Sequence, residues 1–389
     1  MRTFLKGAAR VLKAQRARNK ELSVSFLGIS TTLVTDLSDR PRVTADLAKQ
    51  PEGPFYEHDQ ERLWAIYHGY GATEEKAQWV PYVDVTALRS SGARAIALDA
   101  LNVAQCRLVF RPSNFRIPMS LSKHAKTMVS HFKALGRLNP DPSAPEGFEN
   151  NYAWRLCDID CGAATLTLQS ARYTDQVATN ISVDTDSGAL PAGAQTIRQD
   201  VEPPENGRLP SLATSQLANT LGVAAMVYDA QLSPLWRLRS PKMGAITEGG
   251  LHCTVSGVCE FPEIDADADH GFELISQGMA REIASELGLA PEDYDLYPVA
   301  IARELPRAGK PQVFFVAISH LSEAEMQDRA ASAPERVEFV RDESDQLFLS
   351  EMRESDTHKL FTYEGWAAGH FAEQFFEANP EFATPRESV

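Results

Sequence analysis

The chain of 389 residues is 43% hydrophobic and 23% charged, an ordinary globular composition with enough length for two domains of common size. A net charge of −15 argues against nonspecific binding to DNA or RNA, whose phosphates the average surface repels, but leaves room for a small anionic substrate where local cations or metal reverse the field. Five scattered cysteines are an odd count that does not make a disulfide framework and points to a reducing, cytoplasmic setting, and no run approaches the roughly 18 apolar residues of a transmembrane segment.

Residues 1–20 carry Arg2, Lys6, Arg10, Lys13, Arg16, Arg18 and Lys20 and no acid, with Phe4, Leu5, Ala8, Val11 and Leu12 at helical spacing. This basic amphipathic leader reads more readily as a solvated helix on an acidic protein than as a membrane-lying or organelle-targeting segment. Residues 21–37 contain β-type residues, and 121–138 have helical spacing ending at Gly136. His124 and His131 lie seven residues apart on that helix, too far to share an ion, and read as structural. Two Pro-rich connections, 139–149 and 201–210, bracket a hairpin of 153–157 and 164–169 around Gly162, with Cys157 and Cys161 as hairpin residues rather than a zinc pair. Residues 21–210 thus form an α+β N-terminal region without a nameable motif; shaping a pocket, setting substrate choice and forming a homodimer are its candidate roles.

From 212 to 389 the pattern predicts a short helix at 214–221, strands at 223–228, 235–239 and 251–260, a helix at 277–287, strands at 311–319 and 336–340, and a long helix near 363–378. Strands wrapped between two helices predict an α/β/α layered domain.

The helix at 277–287 carries the chemistry. At 100° per residue Glu282 and Glu286 project one turn apart from one face, while Met279, Ile283 and Leu287 form an apolar stripe on another. Ser276 is the expected N-cap and Gly288 the expected left-handed terminator. Two carboxylates at that separation can share Mg²⁺ or Mn²⁺, hard cations that prefer oxygen ligands and complete their shell with water and substrate phosphates.

The wider pattern, Gly257 through Glu273 and Arg281-Glu282-Ile283-Ala284-Ser285-Glu286-Leu287-Gly288-Leu289, resembles the signature of the Nudix hydrolases. The resemblance implies a C-terminal Nudix-like α/β/α sandwich with a mixed sheet, preceded by the α+β region. It also implies hydrolysis of a diphosphate linkage in a small nucleoside-diphosphate derivative, with Mg²⁺ or Mn²⁺ generating the nucleophile from water. Matched position by position, Glu282 is a metal ligand and candidate general base, Glu286 a principal metal ligand, and Arg281 with Glu273 an ion pair holding loop to helix. Gly257 offers a backbone carbonyl to the metal, with Glu260 three residues on.

Two departures weigh on activity. Ser285 replaces one carboxylate of the Glu-Glu pair, and fifteen residues rather than five separate Gly257 from Glu273. The extra loop carries Glu263, Asp265, Asp267 and Asp269, read as a solvated acidic insertion. Glu304, Glu323 and Glu325 read as surface charges, whereas Arg237, Arg239 and Lys242 precede the motif as candidate phosphate contacts, because a guanidinium offers a fork of donors to anionic oxygens. Alternatives to the hydrolase are a degenerate domain that binds a nucleotide without turnover and a metal-dependent isomerase on the same fold.

Overall fold

The computed structural model describes residues 51–71, 81–138, 140–238, 251–260, 269–334, 346–348 and 361–383. The leader, the β-type segment at 21–37, the expected strand at 336–340, and Arg239, Lys242, Glu263, Asp265 and Asp267 lie outside these residues. The principal elements are α1 (Gln60–Ile66), β1 (Tyr82–Arg89), β2 (Leu101–Asn102), β3 (Arg107–Phe110), α2 (Ser122–Ala134), β4 (Tyr152–Asp160), β5 (Thr165–Arg172), β6 (Gly222–Tyr228), β7 (Pro234–Leu238), β8 (Leu251–His252), β9 (Val255–Val258), β10 (His270–Gly271), α3 (Glu273–Leu287), β11 (Tyr294–Glu304), β12 (Lys310–Ser319), α4 (Glu323–Ala331), β13 (Gln346–Phe348) and α5 (Tyr363–Ala378). No helix among the described residues is long and apolar enough to cross a membrane.

Among the described residues the protein is a mixed α/β structure with two sheets. The larger runs β13-β7-β6-β12-β11-β1-β2, with β8 attached to β7 and β9 to β6, and the smaller runs β10-β3-β5-β4. Both are mixed: β12 is parallel to β6 and β3 to β5, whereas β11 pairs antiparallel with β12. Every residue of β12 is buried, as expected for a central strand covered on both faces, where an apolar run replaces alternation.

Side-chain alternation along β6 and β12 then assigns the helices. Val223, Ala225, Val227, Val313, Phe315 and Ala317 share a core with Ile275, Met279, Ile283 and Leu287 of α3. Phe314, between Val313 and Phe315, turns the other way and meets Phe371 of α5 with ring centroids 4.9 Å apart. Neighbouring strand residues point to opposite faces, so α3 and α5 cover opposite faces of the sheet. Each buried Ile, Leu or Met of the α3 stripe contributes about 1.5–3 kcal/mol of transfer free energy.

Residues on both sides of the 201–210 connection share the large sheet, because β1 pairs with β11 through Tyr82 to Glu304 and Ala87 to Ala300. Arg198 strengthens that union. Its side chain is buried and donates to both Asp184 carboxylate oxygens at 2.8 and 2.7 Å, to the Tyr67 hydroxyl at 2.7 Å and to the Leu305 carbonyl at 2.9 Å just beyond β11. One guanidinium fork thereby satisfies a loop, a helix end and a strand end together.

Several expected elements differ in the structure. The helix predicted at 214–221 is absent; Leu221 N–H donates to Trp154 O, and Asn219 O accepts from Leu156 N–H, so these backbone groups serve the edge of β4 instead. The strand predicted at 251–260 is broken into β8 and β9, and the Thr254 hydroxyl accepts from Val227 N–H at the break. Glu304 is no surface charge, being 3% exposed and paired with Arg307 at 3.3 Å. Glu325 is exposed and caps α4 through Ser322.

His124 holds its expected structural place. It is fully buried on α2, with Nδ1 2.7 Å from Ser187 Oγ and Nε2 3.2 Å from Ser182 Oγ. Burial lowers its pKa from 6.5 to about 4, against a weaker opposing pull from Asp186. Because the folded pKa is depressed, the unfolded chain takes up this proton first on acidification. The contribution is therefore complete above pH 6.5 and lost as pH falls from 6.5 towards 4. We expect urea denaturation of His124→Gln to show a shallower loss of stability than wild type across that window, the difference reaching roughly 3 kcal/mol at most; identical slopes would mean that His124 titrates normally.

Candidate functional site

The helix α3 begins a turn earlier than the sequence predicts, with Phe272 rather than Ser276 at its N-cap. Phe272 is 1% exposed and anchors the entry, and Glu273 places its carboxylate in the first turn, where the helix dipole favours it. The far end is as predicted: Gly288 adopts φ +66°, its N–H donating to Ala284 O at 3.0 Å. A Cβ there would also press to 2.8 Å from the Arg329 carbonyl of α4, so both conformation and space call for glycine.

Two glycines let α3 approach the sheet edge closely. Gly278 sits over Cys259, where a Cβ would lie 3.1 Å from Sγ, and burial pushes that thiol up to about 12. Gly257 on β9 faces Glu282, whose carboxylate occupies the volume a side chain at 257 would take. The two ends of the motif thus meet despite the enlarged loop between them.

The other residues of the motif are disposed less uniformly. Glu273 is exposed and accepts from Gly271 N–H at 2.9 Å. The Arg281–Glu273 ion pair that the resemblance implies is not among the ion pairs of the described residues; Arg281 is exposed and its guanidinium lies towards Gly278 and Cys259. Glu260 is exposed and accepts from Asn151 Nδ2 at 3.1 Å, and Asp269 is exposed at the end of the insertion. Ser285 is half-buried between the two glutamates.

Glu286 is 9% exposed, and Arg237 Nη1 donates to its Oε2. Arg237 also reaches Thr254 O at 3.4 Å. Antiparallel pairing of β7 with β8 places Arg237 opposite His252, at the end of the sheet where the last turn of α3 arrives. A buried carboxylate needs such a partner, since an uncompensated charge away from water costs several kcal/mol. The expected phosphate contact is thus a partner of the expected metal ligand. The sequence held a signal for this, a cation on a strand next to a buried helix end, but not the register that joins them.

Among the described residues, the group of three metal-ligating side chains whose ligand atoms lie within 4.8 Å of one another is His252, Cys253 and Glu364, not the glutamates of α3. A cavity of about 420 Å³, lined by Tyr82, Thr86, Ile96, Cys161, His370 and Gln374 among others, opens between β1 and α5; neither Glu282 nor Glu286 lines it.

No protein-family model matches the chain, and no curated protein matches it. Among solved structures the chain is similar to DR0079 from Deinococcus radiodurans, at 16% identity and a TM-score of 0.21. The likeness covers 26% of this chain and 57% of that one.

The glycine contacts differ in what opposes them. At 257 the obstacle is the flexible tip of Glu282, whereas at 288 it is backbone combined with a positive φ. Gly257→Ala is expected to lower unfolding free energy by about 1 kcal/mol or less, and Gly288→Ala by about 1–3 kcal/mol, in urea titrations. Equal losses would show that Glu282 is held rigidly where it stands.

Proposed function

We propose that the chain is a Nudix-type, metal-dependent hydrolase that cleaves the diphosphate linkage of a small nucleoside-diphosphate derivative in the cytoplasm. The observation that carries this reading is the seating of the Glu282 carboxylate on Gly257, which joins the two halves of the motif across an enlarged loop. Helices on opposite faces of a mixed sheet accord with a Nudix-like α/β/α sandwich.

The donor set suits a hard divalent cation. Glu282 and Glu286 offer carboxylate oxygens one helical turn apart, and the Glu282 carboxylate lies against Gly257, whose backbone carbonyl is the further candidate donor. Mg²⁺ or Mn²⁺ held there would offset the charge of a diphosphate and lower the pKa of a water. Glu282, half-buried at the sheet edge, is the candidate to take up a proton during hydrolysis. Arg237 orients Glu286 and, by turning outward, becomes a donor to phosphate oxygen.

The Arg237–Glu286 pair favours a second reading as well. A guanidinium already neutralises one expected ligand, and Ser285 has removed another carboxylate, so the domain can hold a nucleotide without turning it over. The two readings separate in one assay. Wild type, Glu282→Gln and Arg237→Met are incubated with Mg²⁺ or Mn²⁺ and a panel of nucleoside triphosphates, nucleotide sugars, ADP-ribose, dinucleotides and coenzymes. Release of product from a panel member, reduced about 10²–10⁴-fold in Glu282→Gln, supports the hydrolase. A thermal shift with a member that is never cleaved rejects hydrolysis and leaves the binding module.

A further inference from the structure

We infer that His252, Cys253 and Glu364 form a second, separate metal site that takes a Zn²⁺ ion and clamps α5 to the strand leading into Gly257. These three side chains are buried, and their ligand atoms lie within 4.8 Å of one another. In a tetrahedral zinc site with bonds of about 2.0–2.3 Å, neighbouring ligand atoms stand roughly 3.3–3.7 Å apart. His252 Nε2 and Glu364 Oε2 are already 3.8 Å apart.

The surroundings orient these atoms. His252 Nδ1 lies 2.6 Å from Thr362 Oγ1; with Nδ1–H donating there, Nε2 keeps its lone pair and faces Glu364 and Ser256, whose Oγ is at 2.9 Å. Glu364 Oε1 accepts from Gln312 Nε2 at 2.7 Å, which leaves Oε2 on the side of His252. His252 is thus oriented through Nδ1 and Glu364 through Oε1, as outer partners orient metal-binding imidazoles and carboxylates, and Nε2 and Oε2 face one another. Gln312 is itself fixed by Lys310 Nζ at 3.0 Å.

The donor types choose the ion. A thiolate with an imidazole and one carboxylate suits Zn²⁺ and disfavours Mg²⁺, which demands oxygen ligands. On binding, the Cys253 thiol gives up the proton it now directs at Val255 O, 3.6 Å away; the sulfur pair becomes the bond to zinc and the proton leaves to solvent. Three protein ligands leave a fourth position for water or Ser256.

The test uses the full chain, stripped with a strong chelator. Zn²⁺ titrated against a chromophoric chelator is expected to bind tightly at one equivalent, with affinity lowered at least about tenfold in Cys253→Ser and Glu364→Gln. Co²⁺ in place of zinc is expected to give a thiolate charge-transfer band in the near ultraviolet. That band persists in Cys161→Ser, which alters an exposed thiol, and in Glu282→Gln, which alters the site on α3. A wild-type protein that binds no zinc, or binds Co²⁺ without the thiolate band, overturns the inference. So does a band lost in Cys161→Ser or kept in Cys253→Ser. Should Cys253→Ser fail to fold by circular dichroism, the wild-type Co²⁺ spectrum decides alone.

Discussion

The carboxylate of Glu286 cannot remain inside the protein alone, and the chemistry open to α3 follows from how that charge is met. The apolar stripe of Met279, Ile283 and Leu287 pins the helix to the sheet, and that geometry carries Glu286 below the surface with it. Arg237, delivered by β7, supplies the compensating charge. A buried pair of this kind adds little net stability, because desolvation offsets attraction, but removing either partner is costly. The register of β7 against β8 and the length of α3 are therefore bound to each other through one ion pair. A divalent ion bound as proposed would compete with a cation the fold already provides, and with serine at 285 it would have one acidic partner fewer.

The N-terminal region takes part in the same framework. β1 completes the large sheet beside β11, and Arg198 ties the loop at Asp184 and the end of α1 at Tyr67 to the chain beyond β11. Asn151 reaches Glu260 on the segment that leaves β9, so this region touches the motif directly. These contacts, and no motif of its own, bring it to the segment that carries Glu260.

Local physics made much of the fold legible in sequence. The strands near 223–228, 235–239 and 311–319, the helix 363–378, the hairpin around Gly162 and the left-handed Gly288 lie close to where periodicity and turn chemistry put them. What escaped was set by distant partners. The segment 214–221 has apolar residues at helical spacing, yet its backbone is drawn to β4, and Asn180 donates to Asn219 Oδ1 and accepts from its N–H across 39 residues. The strands β1 and β11 escaped altogether, being joined by their pairing with each other and, for β11, with β12. At the site, helical spacing found Glu282 and Glu286 but not their environments. Arg237 as partner of Glu286, and His252 facing Glu364, depend on tertiary approach; Thr362, which brings α5 against His252, is 110 residues away in sequence.

That approach joins the two clusters mechanically. Gly365 lets the first turn of α5 press onto 251–253, where a Cβ would lie 2.6 Å from the Leu251 carbonyl and 2.8 Å from His252 Cα. Thr362 N–H donates to Leu251 O at 2.8 Å, so the strand and the helix start are one hydrogen-bonded unit. The chain continues from His252 across the break at Cys253 and Thr254 to Ser256, which contacts the His252 ring, and to Gly257, against which Glu282 rests. A shift of β8 and β9 by a fraction of an ångström changes the space available to that carboxylate, because close-packed elements transmit displacement rather than absorb it. Whatever holds α5 against His252 therefore also bears on the support beneath Glu282, because only Cys253 and Thr254 separate β8 from β9.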